Sequence, residues 1–282
     1  QFGFKRGRGT HDALFIARRL QERAWATTNG RIIFLALDWA KAFDSVSPEA
    51  LGRALLRFGI PQDFVSMINA IYTDRRFVVR DAGQTSEWRM QPFGISQGCP
   101  LSPYLFVLMM TILMHDAKRK SMDNHDTNVG MGIMIDELVY AEDTLLIGVN
   151  PDQLQSFMTN IGEAGLEYGL SFNLSKLEMI PIRTEATIQK PNGTAIDTKN
   201  RMVYLGSMLA NDGRISSELN RRLGMARSDF EKLRVVWSHS TLSSKRKIKI
   251  FDACVITKLL YGLQTACLNQ AERRRLDGSH AR

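Results

Sequence analysis

The strongest constraint on this chain is the placement of acidic residues at the ends of apolar segments. Asp38 follows the apolar run Ile32–Leu35 in a predicted strand at 31–37, and the pair Glu142–Asp143 interrupts an apolar hairpin pattern at 131–149. The acidic pair therefore falls in the turn of that hairpin. A carboxylate that ends a buried strand, together with a carboxylate pair in a turn, is typical of proteins that hold two Mg²⁺ ions for phosphoryl or nucleotidyl transfer.

Positive charge is concentrated near the carboxyl-terminal end. Residues 1–200 contain 21 Lys and Arg against 22 Asp and Glu, a net charge of −1, whereas residues 201–282 contain 16 against 7, a net charge of +9. A basic segment joined to an acid-bearing one favours a polyanionic partner, because each neutralised phosphate releases counterions. A solvated helical surface has the same composition, so charge alone leaves both interpretations open.

Cysteine and histidine usage argues against disulfides and zinc. The three cysteines, Cys99, Cys254 and Cys267, are too few and too widely spaced for a disulfide framework, and the five histidines show no ligand spacing. We therefore expect no zinc and a reducing intracellular compartment, either nucleus or cytoplasm. The longest apolar run, Tyr104–Met114, is about half the length that spans a bilayer, so we expect no membrane segment.

Helix and strand patterns mix along the chain, which predicts an α+β fold. Ser47–Pro48–Glu49 supplies the cap, the first-turn proline and the first-turn acid of a helix that ends at Gly59. No helix is predicted between Asp38 and Pro48, so a capping role for Asp38 fits poorly. We predict a hairpin at 77–90, helices at 62–73, 104–117, 151–168, 214–237 and 243–262, and short strands near 177–182 and 202–207.

Six segments stand in order along residues 1–262: QFGFKRGRGTHDALFIARRL, LALDWAKAFDSVSPEALGRALLRFGIP, GISQGCPLSPYLFVLMM, LVYAEDTLLIG, GLSFNLSKLEMI and YLGSMLANDGRI. The ordered set resembles the reverse transcriptase of a non-LTR (LINE-like) retrotransposon and is more specific than any single segment. The resemblance implies a right-hand polymerase fold with an antiparallel palm sheet, partial fingers and a helical thumb. Fingers and palm would occupy residues 1–200, and residues 201–282 would carry the primer-grip region and a basic thumb that is truncated.

The resemblance also implies a function. The chain would be an RNA-directed DNA polymerase that uses an RNA template, a DNA primer and deoxynucleotides with two Mg²⁺ ions, for which Mn²⁺ is a substitute. Asp38, Glu142 and Asp143 would be the catalytic metal ligands, and Lys176 would protonate the departing pyrophosphate. A surface lysine is the alternative for Lys176. The sequence predicts no oligomeric state.

Glu142 departs from the family pattern, which has aspartate at this position. Glutamate moves the carboxylate outward by one methylene, about 1.5 Å of bond length, and Mg²⁺ tolerates little displacement of its ligands. Asp143 is not expected to replace it, because neighbouring residues on a strand point to opposite faces. Two functions therefore stay open: an RNA-directed DNA polymerase impaired at Glu142, and a catalytically decayed palm domain that binds nucleic acid without polymerising.

Further residues are assigned to the nucleotide through the resemblance. Lys41 would approach the triphosphate, although an exposed loop lysine is the alternative. Phe43 would form an aromatic wall beneath the sugar that excludes a 2′-hydroxyl, and an ordinary core phenylalanine is the alternative. Gln97 and Gly98 would lie near the nucleotide and the template, where glycine permits a close approach of the backbone.

Contacts to nucleic acid are expected from basic residues and from the turn of the primer grip. Tyr204 and Gly206 belong to that turn, and the basic residues would contact backbone phosphates without reading sequence. The nucleic-acid-binding residues are thus predicted to be Lys5, Arg6, Arg8, Tyr204, Gly206, Arg221, Arg222, Lys245, Arg246, Lys247 and Lys249.

Overall fold

The structure is a computed structural model that describes residues 1–121 and 135–280. Its helices are α1 Thr10–Ala26, α2 Ala42–Ser45, α3 Pro48–Phe58, α4 Gln62–Tyr72, α5 Ser102–Ser121, α6 Pro151–Glu167, α7 Ser216–Lys232, α8 Arg234–Ser238, α9 Ser244–Phe251, α10 Thr257–Leu260 and α11 Gln270–His280. Its strands are β1 Ile32–Leu37, β2 Arg76–Phe77, β3 Arg80–Asp81, β4 Gln84–Thr85, β5 Arg89–Met90, β6 Glu137–Tyr140, β7 Asp143–Gly148, β8 Glu178–Ile182, β9 Asp197–Thr198, β10 Arg201–Tyr204 and β11 Ser207–Ala210. A π-helical turn at Asp252–Ile256 joins α9 to α10. The α+β prediction is confirmed.

The central sheet has five strands in the order β6-β7-β1-β8-β9. Strand β1 pairs antiparallel with β7, and β7 pairs antiparallel with β6. The register sets Leu37 opposite Thr144. The end of β1 therefore lies beside the start of β7, and this brings the residue after Leu37 towards Asp143.

Strand β1 is buried on both faces, and Ile32–Leu35 have no exposed surface. A strand that is covered on both faces needs an unbroken apolar run in place of the usual alternation, which explains the sequence of β1. Ile33, Leu35 and Leu37 pack into a core with side chains of α5 such as Phe106 and Met110. The core thus holds the end of β1 rigidly.

The helix predicted after Ser47 is confirmed in its details. The Ser47 side chain accepts a hydrogen bond from the Ala50 amide at 3.3 Å, Pro48 is the first helical residue, and Gly59 ends the helix at a φ of 98°. The expectation of no helix before Pro48 is wrong, because the four-residue helix α2 begins at Ala42. Lys41, not Asp38, is the residue that precedes α2.

Other predicted helices and strands are present in the structure, but their first and last residues differ from the prediction. The hairpin predicted at 77–90 forms from β2 paired with β5 and β3 paired with β4. Residues 131–134 lie outside the described residues, and β6 and β7 form the rest of the second predicted hairpin. The strand predicted near 202–207 is a hairpin of β10 and β11, and the helix predicted at 214–237 is divided into α7 and α8.

The chain forms two compact units. The first contains Gln1–Gly9, Ile33–Met179 and Ala186–Asp197, and the second contains Thr10–Ile32, Ile180–Glu185 and the described residues from Thr198 onward. The boundary near residue 200 stays a prediction: the first unit lies entirely before it, whereas the second unit draws on segments from both sides of it. No helix in the described part of the chain is long and apolar enough to cross a membrane.

Candidate active site

Backbone hydrogen bonds fix the residues that follow β1. The Asn173 amide donates to the Asp38 carbonyl at 2.8 Å, and the Ala40 amide donates to the Ser171 carbonyl at 2.8 Å. Between them the Trp39 and Phe172 rings lie 4.6 Å apart. The segment 171–173 therefore extends the pairing beyond the end of β1, so Asp38 has a defined position.

This pairing brings Lys176 to Asp38. The Lys176 amide donates to the Asn173 carbonyl at 3.0 Å, which turns the chain back, and Lys176 Nζ lies 3.4 Å from Asp38 Oδ2. Oδ2 is buried and accepts no hydrogen bond. The Lys176 side chain is largely exposed, so this ion pair contributes little to stability. Lys176 Nζ donates to the other carboxylate oxygen, Oδ1, at 3.5 Å, so the buried Oδ2 has a positive charge nearby but no hydrogen-bond donor.

The acidic pair occupies the tight turn between β6 and β7. Tyr140 is paired with Asp143, which leaves Ala141 and Glu142 as the two turn residues. Burial of its carboxyl group, followed by the negative charges of Glu142 and Asp38, raises the pKa of Asp143 to about 6, and Lys176 acts in the opposite direction. Asp143 as a residue is exposed, so water screens part of this repulsion. The four predicted catalytic residues are therefore close enough to interact electrostatically, and they form one site.

The prediction that Asp143 does not replace Glu142 rested on the alternation of neighbouring residues along a strand, although the pair was also predicted to fall in a turn. The use of alternation here is wrong. Glu142 lies in the turn and only Asp143 belongs to β7, so alternation along a strand does not separate the two carboxylates. Asp143 interacts electrostatically with both Glu142 and Asp38, and it is therefore available as a ligand alongside them.

The amino-terminal segment packs on the back of this turn, a role that the sequence did not reveal. The Gln1 side-chain oxygen accepts hydrogen bonds from the Ala141 amide at 2.9 Å and the Gly3 amide at 2.8 Å, and the Phe2 amide donates to Val139. A Cβ at Gly3 would stand 2.5 Å from the Ala141 nitrogen. This contact joins residues about 140 positions apart, so no local sequence pattern predicts it.

The basic residues predicted in this segment follow the packed part. Lys5, Arg6 and Arg8 are all exposed. The Arg8 guanidinium lies 5.9 Å from the centre of the Phe2 ring, which holds its side chain near the surface of the segment. Their predicted contact with template phosphates stays a prediction.

Phe43 is held by a second aromatic ring that the sequence did not single out. The Phe43 and Phe106 rings are stacked with centres 4.5 Å apart and planes 13° apart, and Phe106 is fully buried in the core. One face of Phe43 is thus fixed and the residue remains partly exposed. Lys41 stands at the start of α2 with an exposed side chain and a left-handed φ of 49°. For a lysine this conformation carries strain.

Gln97 and Gly98 lie in the loop before α5. Gln97 Nε2 lies 3.4 Å from Asp44 Oδ1, which connects this loop to the segment after Asp38. Gly98 has a φ of 84° and open space on its Cβ side. Asp44, the second acid after β1, thus faces Gln97.

The side chains of the site are of the chemical type that binds a divalent cation. Asp38, Glu142 and Asp143 offer carboxylate oxygens, the ligands that Mg²⁺ prefers. The buried Asp38 Oδ2 without a donor and the raised pKa of Asp143 are both conditions that a cation would relieve. Within residues 1–121 and 135–280, however, no three His, Cys, Asp or Glu side chains are arranged to hold a metal ion. His125, one of the histidines counted in the zinc argument, lies outside these ranges.

The predicted primer-grip turn belongs to the second unit. Tyr204 is buried, and Leu205 and Gly206 form the turn between β10 and β11 with left-handed φ values of 45° and 72°. The Tyr261 hydroxyl donates to the Leu205 carbonyl at 2.9 Å. Arg221 donates to the Gly206 carbonyl at 2.7 Å, and Arg222 also donates to it. The carbonyls of the turn are therefore held by protein donors.

Glu218 anchors both of these arginines. Its buried carboxylate accepts hydrogen bonds from Arg221 Nε at 2.7 Å, Arg222 Nε at 2.6 Å and the Met208 amide at 3.1 Å. The prediction that Arg222 contacts a nucleic-acid phosphate is wrong in this geometry, because its guanidinium is buried and committed to protein oxygens. Arg221 is half-buried and bound in the same way, so its main role is also to hold the turn.

The basic residues of α9 differ among themselves. Lys247 is half-buried and donates to the Trp237 carbonyl at 2.7 Å, which ties α9 to the end of α8. Its predicted phosphate contact competes with this bond. Lys245, Arg246 and Lys249 are exposed. Their contact with phosphate stays a prediction.

The antiparallel sheet with a strand-end aspartate, an acidic turn and a lysine at one place defines a class, the palm-type nucleic-acid polymerases. The profile of the family described as reverse transcriptase (RNA-dependent DNA polymerase) matches residues 1–209. The chain belongs to this reverse transcriptase family. The resemblance inferred from the six ordered segments is confirmed, and enzymes of this family generally use divalent metal ions.

Named relatives are proteins of retrotransposable elements. The chain is 26% identical over 264 residues to a retrovirus-related Pol polyprotein from type-1 retrotransposable element R2 of Popillia japonica, covering 86% of this chain and 34% of that protein. It is 31% identical over 158 residues to the corresponding polyprotein of Nasonia vitripennis, covering 56% of this chain and 14% of that protein. The chain thus spans about a third of the length of the first relative and about a seventh of the second.

Solved structures of telomerase share the fold. The truncated apo telomerase of Candida tropicalis matches with a TM-score of 0.50 and 17% identity, covering 71% of this chain and 38% of that one. Telomerase of the same species in complex with a fragment of telomeric RNA matches with a TM-score of 0.50 and 12% identity, covering 96% of this chain and 52% of that one. At such identities the similarity concerns the fold, and it agrees with the predicted right-hand polymerase architecture.

Proposed function

We propose that this chain is a polymerase domain that copies an RNA template by adding deoxynucleotides to a DNA primer. One observation carries the proposal: the pairing of β1 with β7 and the turn at Glu142 bring the carboxylates of Asp38, Glu142 and Asp143 to the adjoining ends of β1 and β7, where Lys176 Nζ lies 3.4 Å from Asp38 Oδ2. Like charges gathered in this way are costly unless a cation is held between them. The family provides the reaction for which such a carboxylate cluster is used.

The three carboxylates and Lys176 would have different roles in the reaction. The primer 3′-oxygen forms a bond to the α-phosphorus, and the bond between the α- and β-phosphates breaks to release pyrophosphate. Divalent ions bound by Asp38, Glu142 and Asp143 would lower the pKa of the attacking hydroxyl and neutralise the triphosphate. Lys176, at 3.4 Å from Asp38, lies within reach of the triphosphate region and would donate a proton to the leaving pyrophosphate.

Substrate choice would depend on Phe43. Its ring is backed by Phe106, so it cannot swing into the core to admit a bulkier sugar. A ring fixed in this way would exclude a 2′-hydroxyl and select deoxynucleotides. Gln97 and Gly98 would line the other side of the nucleotide, and Lys41 would approach its phosphates.

A second function is favoured by a specific observation. No described group of three ligands is arranged to hold a metal ion, and Glu142 stands where the family has aspartate. A palm domain that binds primer and template without polymerising would account for both facts. The two functions differ in one respect: a polymerase makes a DNA product that requires Asp38, whereas a non-polymerising palm domain makes no DNA product.

Primer extension on an RNA template separates them. We would compare the chain with Asp38→Ala, in both Mg²⁺ and Mn²⁺, and use Asp63→Ala as the matched control, because Asp63 is an exposed aspartate on α4. The polymerase proposal expects DNA products from the chain and from the control, and none from Asp38→Ala. Retained binding of the hybrid with no product in either metal would favour the non-polymerising palm, and equal extension by Asp38→Ala would refute the assigned site.

A further inference from the structure

One arginine holds the loop at residues 93–96, which lies between β5 and α5 and belongs to no helix or strand. The Arg75 guanidinium donates to the Phe93 carbonyl at 2.9 Å and to the Gly94 carbonyl at 2.8 Å. It also donates to the Ser96 hydroxyl at 3.1 Å. A guanidinium presents its donors in a rigid plane, so three bonds from a single side chain fix both the place and the orientation of this loop.

Arg75 is itself held on a rigid base. Its guanidinium lies 5.0 Å from the centre of the Tyr72 ring, and Tyr72 is the last residue of α4. Tyr72 is buried, and its hydroxyl lies 3.3 Å from the Ser102 hydroxyl at the start of α5. The Arg75 carbonyl accepts a hydrogen bond from the Gln91 amide at 2.8 Å. The donors that meet the 93–96 loop are therefore positioned in advance by α4 and α5.

The 93–96 loop in turn holds the short helix that carries Phe43. The Ile95 amide donates to the Phe43 carbonyl at 2.8 Å, and the Gly94 amide donates to the Val46 carbonyl at 2.7 Å. These two bonds lie at either end of the second half of α2. A helix of four residues is not stable by itself, and α2 has no side-chain cap. The backbone at Phe43 thus depends on the 93–96 loop for its position.

The loop and Phe106 restrain Phe43 in different directions. Phe106 is stacked on the Phe43 ring with centres 4.5 Å apart, so it blocks movement of the ring towards the core. Offset arrangements of stacked rings are all favourable, so stacking resists a slide within the plane of the ring only weakly. The hydrogen bond from Ile95 to the Phe43 carbonyl opposes that slide. How far the ring projects from the core is therefore set through the backbone.

We propose that Arg75 is a positioning residue for sugar selection, which acts through the 93–96 loop and α2 on the Phe43 ring. The inference rests on the proposed function, because only a polymerase that selects its sugar at Phe43 has this selectivity to lose. Removal of the guanidinium leaves the Phe93 and Gly94 carbonyls without their donor, and the loop moves to find other partners. Phe43 then slides along Phe106, and the space for a 2′-hydroxyl opens.

Primer extension with paired substrates tests the proposal on the full chain. The measured quantity is the preference, the ratio of kcat/KM for a deoxynucleotide to that for the matching ribonucleotide. The fraction of folded protein cancels in this ratio. Arg75→Met retains a side chain of similar bulk without donors, and we expect it to lower the preference about tenfold, the lower end of what a steric fit to one small group is worth. Arg76→Met, which removes the adjacent exposed arginine, should leave the preference unchanged.

A double-mutant cycle tests the route through Phe43. Phe43→Val removes the ring that Arg75 is proposed to position, so adding Arg75→Met to Phe43→Val should change the preference no further. A tenfold effect of Arg75→Met that persists in the Phe43→Val background would overturn the proposal.

A remote arginine controls for loss of stability. Arg57 donates to the two Asp116 carboxylate oxygens at 2.7 and 2.5 Å. Asp116 lies 14 positions after Ser102, about 21 Å along α5. Arg57→Met should therefore destabilise the chain without changing the preference. An equal fall of the preference in Arg57→Met and Arg75→Met would overturn the proposal.

Hydrogen exchange of the Gly94 and Ile95 amides gives a readout without catalysis. We expect exchange to be faster in Arg75→Met than in the parent chain and unchanged in Arg76→Met. Unchanged exchange in Arg75→Met would overturn the hold of this arginine on the loop.

The outcomes separate this proposal from the polymerase proposal. Extension by the parent chain with an unchanged preference in Arg75→Met would retain polymerisation and remove the role of Arg75. A parent chain that extends no primer in either metal would remove polymerisation, and the role of Arg75 in sugar selection would fail with it.

Discussion

Two glycines in left-handed conformations give a sharp test of how the candidate active site is supported. Gly94 has a φ of 85°, and a Cβ there would stand 2.7 Å from the Asp44 carbonyl oxygen and 2.8 Å from its Cα. Gly98 has a φ of 84°, and a Cβ there would meet nothing within 4 Å. The substitutions Gly94→Ala and Gly98→Ala therefore share the cost of the left-handed backbone and differ in the clash.

The magnitudes follow from this difference. Placing alanine in the left-handed region costs about 1 kcal/mol at either position. At Gly94 the Cβ meets backbone, and an ordinary contact of 3.4 Å requires the chain at Asp44 to move by about 0.7 Å. Such overpacking costs about 1–3 kcal/mol more. We expect Gly98→Ala to lose about 1 kcal/mol of unfolding free energy and Gly94→Ala about 2–4 kcal/mol.

The displacement should also reach the chemistry. The Gly94 amide donates to the Val46 carbonyl at 2.7 Å, and the next residue donates to Phe43, so a shift at Asp44 moves the nucleotide side of the site. A misplacement of about 1 Å costs on the order of a hundredfold in rate. Urea unfolding of both variants and of the parent chain measures the stability difference, and primer extension measures the rate. Equal losses of stability in the two variants would refute the close approach at Gly94.

Three further predictions follow. Lys176→Ala should lower the rate of extension about 100-fold, because it removes the proposed general acid; an unchanged rate would argue against that role. Phe43→Val should raise the use of ribonucleotides relative to deoxynucleotides, which competition between the two substrates measures, and an unchanged ratio would remove the steric role. Although burial opposes ionisation, hydrogen bonds from Arg221 and Arg222 hold the pKa of Glu218 below its ordinary value of 4.5. Its contribution to stability is therefore complete above about pH 4.5 and is lost as the pH falls through the lowered pKa. We expect Glu218→Gln to cost about 3 kcal/mol at neutral pH and to lessen the acid sensitivity that urea unfolding shows in the parent chain, whereas an unchanged acid sensitivity would contradict the ion-pair account.

Local chemistry explains which parts of the fold the sequence predicted. The helix after Ser47 has its cap, its first-turn proline and its terminal glycine within 13 consecutive residues, so each signal lies inside the element that it defines. The helix α2 has four residues and no side-chain cap, which leaves no such signal. The apolar pattern on both sides predicted a turn at Glu142 and Asp143, but only the register of β6 against β7 shows that Asp143 is the first residue of β7, and a register is set by pairing rather than by composition.

Contacts between distant residues explain the parts of the site that were missed. Phe106 backs Phe43 across 63 positions of sequence, and Gly3 packs against Ala141 in the hairpin turn. Arg222 was read as a phosphate ligand because arginines at helix surfaces commonly are. Its burial beside Glu218 became visible only when α7 was seen against the β10–β11 turn.

The most direct test of the account is the rate of single-nucleotide addition by the chain and by Glu142→Asp, in Mg²⁺ and in Mn²⁺. If Asp38 and the residue at position 142 hold the metal ions, shortening the side chain should raise the Mg²⁺ rate on the order of a hundredfold. Mn²⁺, which accepts the same oxygen ligands, should narrow the gap between the two proteins. A Glu142→Asp variant that is no faster than the chain in Mg²⁺ would contradict the claim that this carboxylate is a metal ligand of the polymerase site.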